Sequence, residues 1–177
     1  MFGYEGHVLK ELALTAKPRL LLVEDTPSIL HLYHEFLAKL DIEMIDAATG
    51  ARANEALREA IPDVVLLDLE LPDANGIEIL RSIRSKKLPC AVIVVTAHGS
   101  VKVAVEAMRE GAYDFIVKPF APDRLIVTVR NALDKRRLET LAAAHDVIKN
   151  DGDMSAVRDQ VEKLHARYLE LAQQAQT

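Results

Sequence analysis

Four apolar runs in this chain each stop at a polar residue of a particular kind. Leu20-Leu21-Leu22-Val23 stops at Glu24-Asp25, Val64-Val65-Leu66-Leu67 at Asp68, Ala91-Val92-Ile93-Val94-Val95 at Thr96, and Phe115-Ile116-Val117 at Lys118-Pro119. Runs this short, rich in Val, Ile and Leu and without polar alternation, are the pattern of strands buried on both faces. A weaker strand at Ile42 to Ala47 brings the number to five, and longer amphipathic stretches separate them. The order (βα)₅ predicts an α/β, doubly wound, five-stranded parallel sheet of the flavodoxin-like kind, with helices on both faces. In such a sheet these strand ends share one edge, so three carboxylates, a hydroxyl and an ammonium converge there.

The intervening stretches carry helix signals. Thr26-Pro27 reads as an N-cap with proline at the first helical position, and Leu30, Phe36, Leu37 and Leu40 follow loosely at helical spacing. Thr49 caps a helix containing Ala53, Ala56, Leu57 and Ala60, which Pro62 stops. Leu71 to Gly76 is a turn-rich loop before a helix with Ile77, Leu80 and Ile83 on one face. Gly99-Ser100 opens a helix over Val101 to Glu110, Gly111 closes it, and Pro122-Asp123 begins the last helix of the sheet domain. From Leu125 to about Lys149 the helical signal is unbroken, longer than covering a sheet requires, and this predicts an extended C-terminal helical tail. After Asn150-Asp151-Gly152-Asp153, the residues Val157, Val161, Leu164, Tyr168, Leu171 and Ala175 fall at alternating spacings of four and three, the seam of a coiled coil. The expected layout is an N-terminal extension at 1–18, the sheet domain at 19–137, and a helical tail or linker at 138–177 that is a candidate dimerisation segment.

Composition narrows the function classes. A chain of 177 residues is about one domain with a modest appendage. A net charge of −5 argues against direct contact with nucleic acid, whose phosphates call for a basic face. Cys90 is the single cysteine, which excludes an intrachain disulfide and a cysteine-rich metal site. No apolar run approaches the roughly 18 residues that span a bilayer. Met1 to Pro18 lacks the basic start and continuous apolar core of a signal peptide. The expectation is a soluble cytoplasmic protein without a membrane partner.

The chemistry of the strand ends follows from residue type. Glu24, Asp25 and Asp68 brought close repel by about 1 to 4 kcal/mol per pair at about 4 Å, and a hard divalent cation relieves this. Mg²⁺ suits such a place because it takes one or two carboxylates and keeps waters and substrate oxygens in its other positions. It would shield an incoming phosphoryl group and leave a carboxylate free to attack phosphorus. Lys118 and Thr96 would bind the other phosphoryl oxygens. No G-x-x-x-x-G-K-[ST] occurs, so the phosphoryl group should arrive on a donor.

With these residues in hand, the chain resembles the CheY-like receiver domain of a bacterial two-component response regulator, over about Arg19 to Arg137. The family's acidic pair matches Glu24 and Asp25, its phosphorylated aspartate Asp68, its switch hydroxyl Thr96, its lysine Lys118, and its switch aromatic Phe115. The stretch TAHGSVKVAVEAMREGAYDFIVKPF from Thr96 to Phe120 is most similar to NtrC-type receivers of sigma-54-dependent transcription, and VEDTPS and LPD to the LuxO-like branch. The resemblance implies Mg²⁺ held by Asp25, Asp68 and the backbone carbonyl of Glu70, with Glu24 acting through water, and a cis bond between Lys118 and Pro119. It implies acyl-phosphate lifetime tuned by Glu70 and His98. The partners it implies are a sensor histidine kinase or a histidine phosphotransfer protein, a second copy of the chain, and an AAA+ or DNA-binding output absent from this sequence.

The residues leave two rival classes open. One is an aspartate-nucleophile phosphatase of the haloacid-dehalogenase type, whose D-x-D signature would need an aspartate in place of Glu70 and would lie on the first strand. The other is a pseudo-receiver that only dimerises, disfavoured because every chemically required residue is present. His145 lacks a recognisable phosphotransfer context, and His31 with His34 reads as a solvated helix face.

Overall fold

The computed structural model describes residues 17–145. Five strands, β1 (Arg19–Val23), β2 (Glu43–Ala47), β3 (Val64–Leu67), β4 (Ala91–Thr96) and β5 (Asp114–Val117), alternate with five helices, α1 (Pro27–Leu37), α2 (Gly50–Glu59), α3 (Gly76–Ser85), α4 (Val101–Arg109) and α5 (Pro122–His145). The strands form one parallel sheet in the order β2-β1-β3-β4-β5. The doubly wound α/β expectation holds.

Alternation along each buried strand sorts the core into two layers. Leu20, Leu22, Val64, Leu66, Ile93 and Val95 pack with Tyr33 and Leu37 of α1 and with Leu125, Val129 and Ala132 of α5. Leu21, Val23, Val65, Leu67, Val92 and Val94 face the other way, onto α2, α3 and Ala107 of α4. Every residue of β3 and β4 is buried, which is why these runs show no polar alternation.

Local chemistry sets most helix ends. The Thr49 hydroxyl accepts from the Arg52 amide at 3.1 Å and the Ser100 hydroxyl from the Val103 amide at 3.3 Å. Thr26 holds the N-cap position of α1 but makes no side-chain cap. Its hydroxyl meets the Asp25 carboxylate at 3.2 Å instead, and Pro27 has no amide to offer. α1 also ends at Leu37, so Leu40 packs on the core from a turn rather than from the helix. Gly76 lets α3 start hard against β3, because a Cβ there would lie 2.3 Å from the Asp68 carbonyl oxygen. The continuation of α5 to His145 agrees with a helix longer than the sheet needs. The heptad seam and the 1–16 segment lie outside the described residues.

Candidate functional site

Register brings the polar strand ends together. Val23 pairs with Leu67 and Thr96 with Val117, so Glu24, Asp68, Thr96 and Lys118 all stand at the C-terminal edge of the three central strands and β5. Glu24, Asp68 and Thr96 are 1%, 7% and 0% exposed. Burying ions this deeply is costly unless they are paired, and Lys118 supplies the pairing. Its Nζ donates to Glu24 Oε2 at 2.5 Å and to Asp68 Oδ2 at 2.6 Å.

The remaining acceptors are also partly used. Glu24 Oε1 accepts from the Thr26 amide at 3.3 Å, and Glu24 Oε2 from the Tyr33 hydroxyl at 3.4 Å. Asp68 Oδ1 accepts from the Glu70 amide at 3.1 Å. The Thr96 hydroxyl accepts from the His98 amide at 3.2 Å. Above the edge, the exposed His98 Nδ1 meets Glu70 Oε1 at 2.7 Å. The Lys118–Pro119 peptide bond is cis, as the resemblance implied.

Two groups respond electrostatically. Burial lowers the Lys118 ammonium, but the hydrogen bonds and charges of Asp68 and Glu24 outweigh it, leaving the net value above the ordinary 10.5. Burial raises the Tyr33 phenol above its usual 10.0, and the charges of Glu24 and Asp68 raise it further.

The three carboxylates do not all converge, as the strand ends alone suggested. Among the described residues no three His, Cys, Asp or Glu side chains gather as a metal site. Glu24 and Asp68 are bridged by the ammonium, while Asp25 is exposed and turned to the Thr26 hydroxyl. Phe115 is half-buried against the core layer that contains Val94 and Ala107. His31 and His34 do not act together: one lies 3.6 Å from Glu35, the other 2.9 Å from Asp46.

A response regulator receiver domain profile matches residues 20–130. The chain belongs to that family. The regulatory protein LuxO of Vibrio cholerae is 46% identical over 114 residues, covering 64% of this chain and 25% of LuxO. The C4-dicarboxylate transport transcriptional regulatory protein DctD of Pseudomonas aeruginosa is 36% identical over 166 residues, covering 85% of this chain and 35% of DctD. The chain therefore spans a quarter to about a third of these relatives. The crystal structure of the signal receiver domain of a putative LuxO repressor protein from Vibrio parahaemolyticus superposes with a TM-score of 0.70 at 38% identity, covering 72% of this chain and 98% of that one.

The receiver's donor set fits Mg²⁺. The ion asks for hard oxygens and for one or two carboxylates rather than a full protein cage, and the Asp25 and Asp68 carboxylates and the Glu70 carbonyl are donors of that chemistry. Asp25 is exposed and, among the described residues, accepts from the neutral Thr26 hydroxyl, which leaves its carboxylate open to a cation. Sequence reasoning missed Tyr33, the buried hydroxyl on Glu24, and Asp73, which accepts from the α2 amides. Tyr33 sits among Leu30, Phe36 and Leu37 on the apolar face of α1, where a phenol signals a buried acceptor nearby. Asp73 gave no such signal, since a turn residue's partner is not written in the turn.

Proposed function

We propose that this receiver accepts a phosphoryl group on Asp68 and converts it into a change of its α4-β5-α5 surface. The observation that carries this reading is the Lys118 ammonium 2.6 Å from Asp68 Oδ2, beside the buried Thr96 hydroxyl. An Asp68 carboxylate oxygen attacks phosphorus, the phosphorus–nitrogen bond to a donor histidine breaks, and the imidazole leaves with the bonding pair and takes up a proton. The donor is a sensor histidine kinase or a histidine phosphotransfer protein. Mg²⁺, held by Asp25, Asp68 and the Glu70 carbonyl with Glu24 acting through water, would neutralise the charge gathered at the acceptor. The chain transfers this group onto itself and off again, and the reading is of a signalling domain rather than an enzyme.

Lys118 is already within reach of the acceptor and exchanges a carboxylate oxygen for a phosphoryl oxygen. The Thr96 hydroxyl at rest accepts from the His98 amide, and its own proton is the donor that a new acceptor with about −1.5 to −2 charge draws toward Asp68. The movement of Thr96 opens room for Phe115, half-buried beside Val94. Moving the population from 1:99 to 99:1 takes about 5.5 kcal/mol, and charge-assisted hydrogen bonds of about 1.5 to 3 kcal/mol each supply it. Glu70 and His98, joined above the edge, would govern access of water and so the lifetime of the acyl phosphate.

The surface that changes is suited to a partner. Val101, Val105 and Met108 of α4, Val117 of β5 and Val127 of α5 are all at least 42% exposed. A homodimer through this face, in a cytoplasmic regulator whose output is transcription by a fused or separate AAA+ and DNA-binding module, is the assembly we favour. Sedimentation of the chain with Mg²⁺, before and after beryllofluoride, tests it against Asp68→Asn. A larger species that requires Asp68 supports the reading. Beryllofluoride binding without a change in mass or shape moves the output to another partner, and no binding favours the pseudo-receiver.

A further inference from the structure

The loop between β3 and α3 runs from Asp68 to Asn75. It contains Glu70, whose carbonyl belongs to the donor set described above. Part of its hydrogen bonding is internal. The Leu69 carbonyl accepts from the Gly76 amide at 2.9 Å, Glu70 and Asn75 form an isolated antiparallel bridge, and Asn75 Oδ1 caps α3 by accepting from the Ile77 amide at 2.9 Å.

Asp73 ties the outer end of this loop to a different element. Its Oδ1 accepts from the Gly50 amide at 2.7 Å and its Oδ2 from the Ala51 amide at 2.9 Å. Those are the first two amides of α2, and the helix cannot satisfy them itself because its own cap, Thr49, serves Arg52. A carboxylate is the favoured partner there, since the helix dipole is positive at that end. The two amides hold the Asp73 carboxyl below the usual carboxylate range.

Residue 50 is fitted to the same contact. A Cβ there would lie 2.7 Å from the Ala74 Cβ and 3.3 Å from Asp73 Oδ1, so a side chain would push the loop off the helix. Leu71 and Ala74 pack their apolar groups on the core beneath. The loop is thus clamped on the side away from Lys118.

We propose that Asp73 is a positioning residue for the acceptor site: by clasping the Gly50 and Ala51 amides it braces the β3–α3 loop against α2 and holds the Glu70 carbonyl in place for the cation. The inference rests on the phosphoacceptor reading, because it gives that carbonyl its purpose. Asp73 touches neither Asp68 nor the reacting atoms, and it acts only through the loop.

The test compares Asp73→Ala with Gly50→Ala and with Asp63→Ala. Asp63 is a matched control: its Oδ2 accepts from the Arg19 amide at 2.9 Å at the opposite edge of the sheet. Mg²⁺ affinity by amide-shift titration, melting temperature, and amide exchange of the metal-free chain are measured for each. Asp73→Ala and Gly50→Ala are expected to weaken Mg²⁺ by about tenfold, the low end for groups that orient a metal ligand from behind. Both also speed exchange at Glu70 in the metal-free protein. Asp63→Ala lowers the melting temperature but leaves Mg²⁺ affinity and Glu70 exchange as in wild type.

Unchanged Mg²⁺ affinity in Asp73→Ala overturns the inference and leaves the acceptor reading intact. Equal weakening by Asp63→Ala also overturns it, since the effect would then be general loss of stability. A wild-type chain that binds neither Mg²⁺ nor beryllofluoride overturns the acceptor reading, and this inference with it.

Discussion

The two edges of the sheet use charge in opposite ways. At the N-terminal edge charged groups answer the backbone or pair in contact with water: Asp63 accepts from the Arg19 amide, Arg84 donates to the Gly111 carbonyl at 2.9 Å and the Cys90 carbonyl at 3.0 Å, and the Arg19 guanidinium meets Glu43 at 3.0 Å with both side chains exposed. These side chains close strand and helix ends while keeping contact with water. At the C-terminal edge Glu24, Asp68 and Lys118 answer one another, out of water. Stability alone does not call for that arrangement, because apolar residues of similar volume are often as good or better than a buried ion pair. Concentrated buried charge at the ends of strands as apolar as β3 and β4 is therefore the mark of function.

Substitutions at the two edges should behave differently. Asp68→Asn removes the attacking carboxylate, so phosphoryl acceptance and beryllofluoride binding should vanish while the chain still melts cooperatively. Next in size, Lys118→Ala strands the Glu24 carboxylate, which is 1% exposed, with only Tyr33 and one amide for company. A loss of about 3 kcal/mol in urea unfolding is expected. Adding Glu24→Gln should recover part of it, because the more deeply buried of the two carboxylates that lost the ammonium is then neutral and only Asp68 keeps an unpaired charge.

Alkali should expose the same edge. Lys118 and Tyr33 both hold their protons more tightly folded than unfolded. The stability this gives is complete below their ordinary values near 10, falls as pH rises past them, and is gone above the folded values. Urea midpoints should therefore drop above about pH 10, and Tyr33→Phe should flatten that limb. The smallest effect belongs to the other edge. Arg84→Gln breaks two bonds to carbonyls and should cost about 1 kcal/mol, with beryllofluoride binding untouched. Loss of binding in that variant would dissolve the contrast between the edges.

What the sequence made legible follows from what is local. Unbroken apolar runs such as Val64 to Leu67 announce strands covered on both faces, and their terminating residues name the chemistry of the edge. The lateral order of strands is not local, and nothing in the run at Glu43–Ala47 says that it lies outside β1. The same holds for contacts between loops: Asp73 and Gly50 are separated by α2 and β3, and each alone reads as a turn residue. Thr26 shows a milder form of the problem, since its hydroxyl had two partners within reach and took Asp25 over the helix. The convergence of Asp25 with Glu24 and Asp68 was overread for a related reason. Adjacent residues at a strand end point to opposite sides, so Glu24 turns inward to Lys118 while Asp25 faces solvent.

The central claim is that Asp68 is the phosphoryl acceptor. Its most direct test is to incubate the chain with Mg²⁺ and a small-molecule acyl phosphate donor, trap any acyl phosphate by borohydride reduction, and map the modified peptide by mass spectrometry. The account predicts one modified site, at Asp68, absent from Asp68→Asn and dependent on Mg²⁺. Modification at another residue, or none at Asp68 in a folded chain, would contradict it.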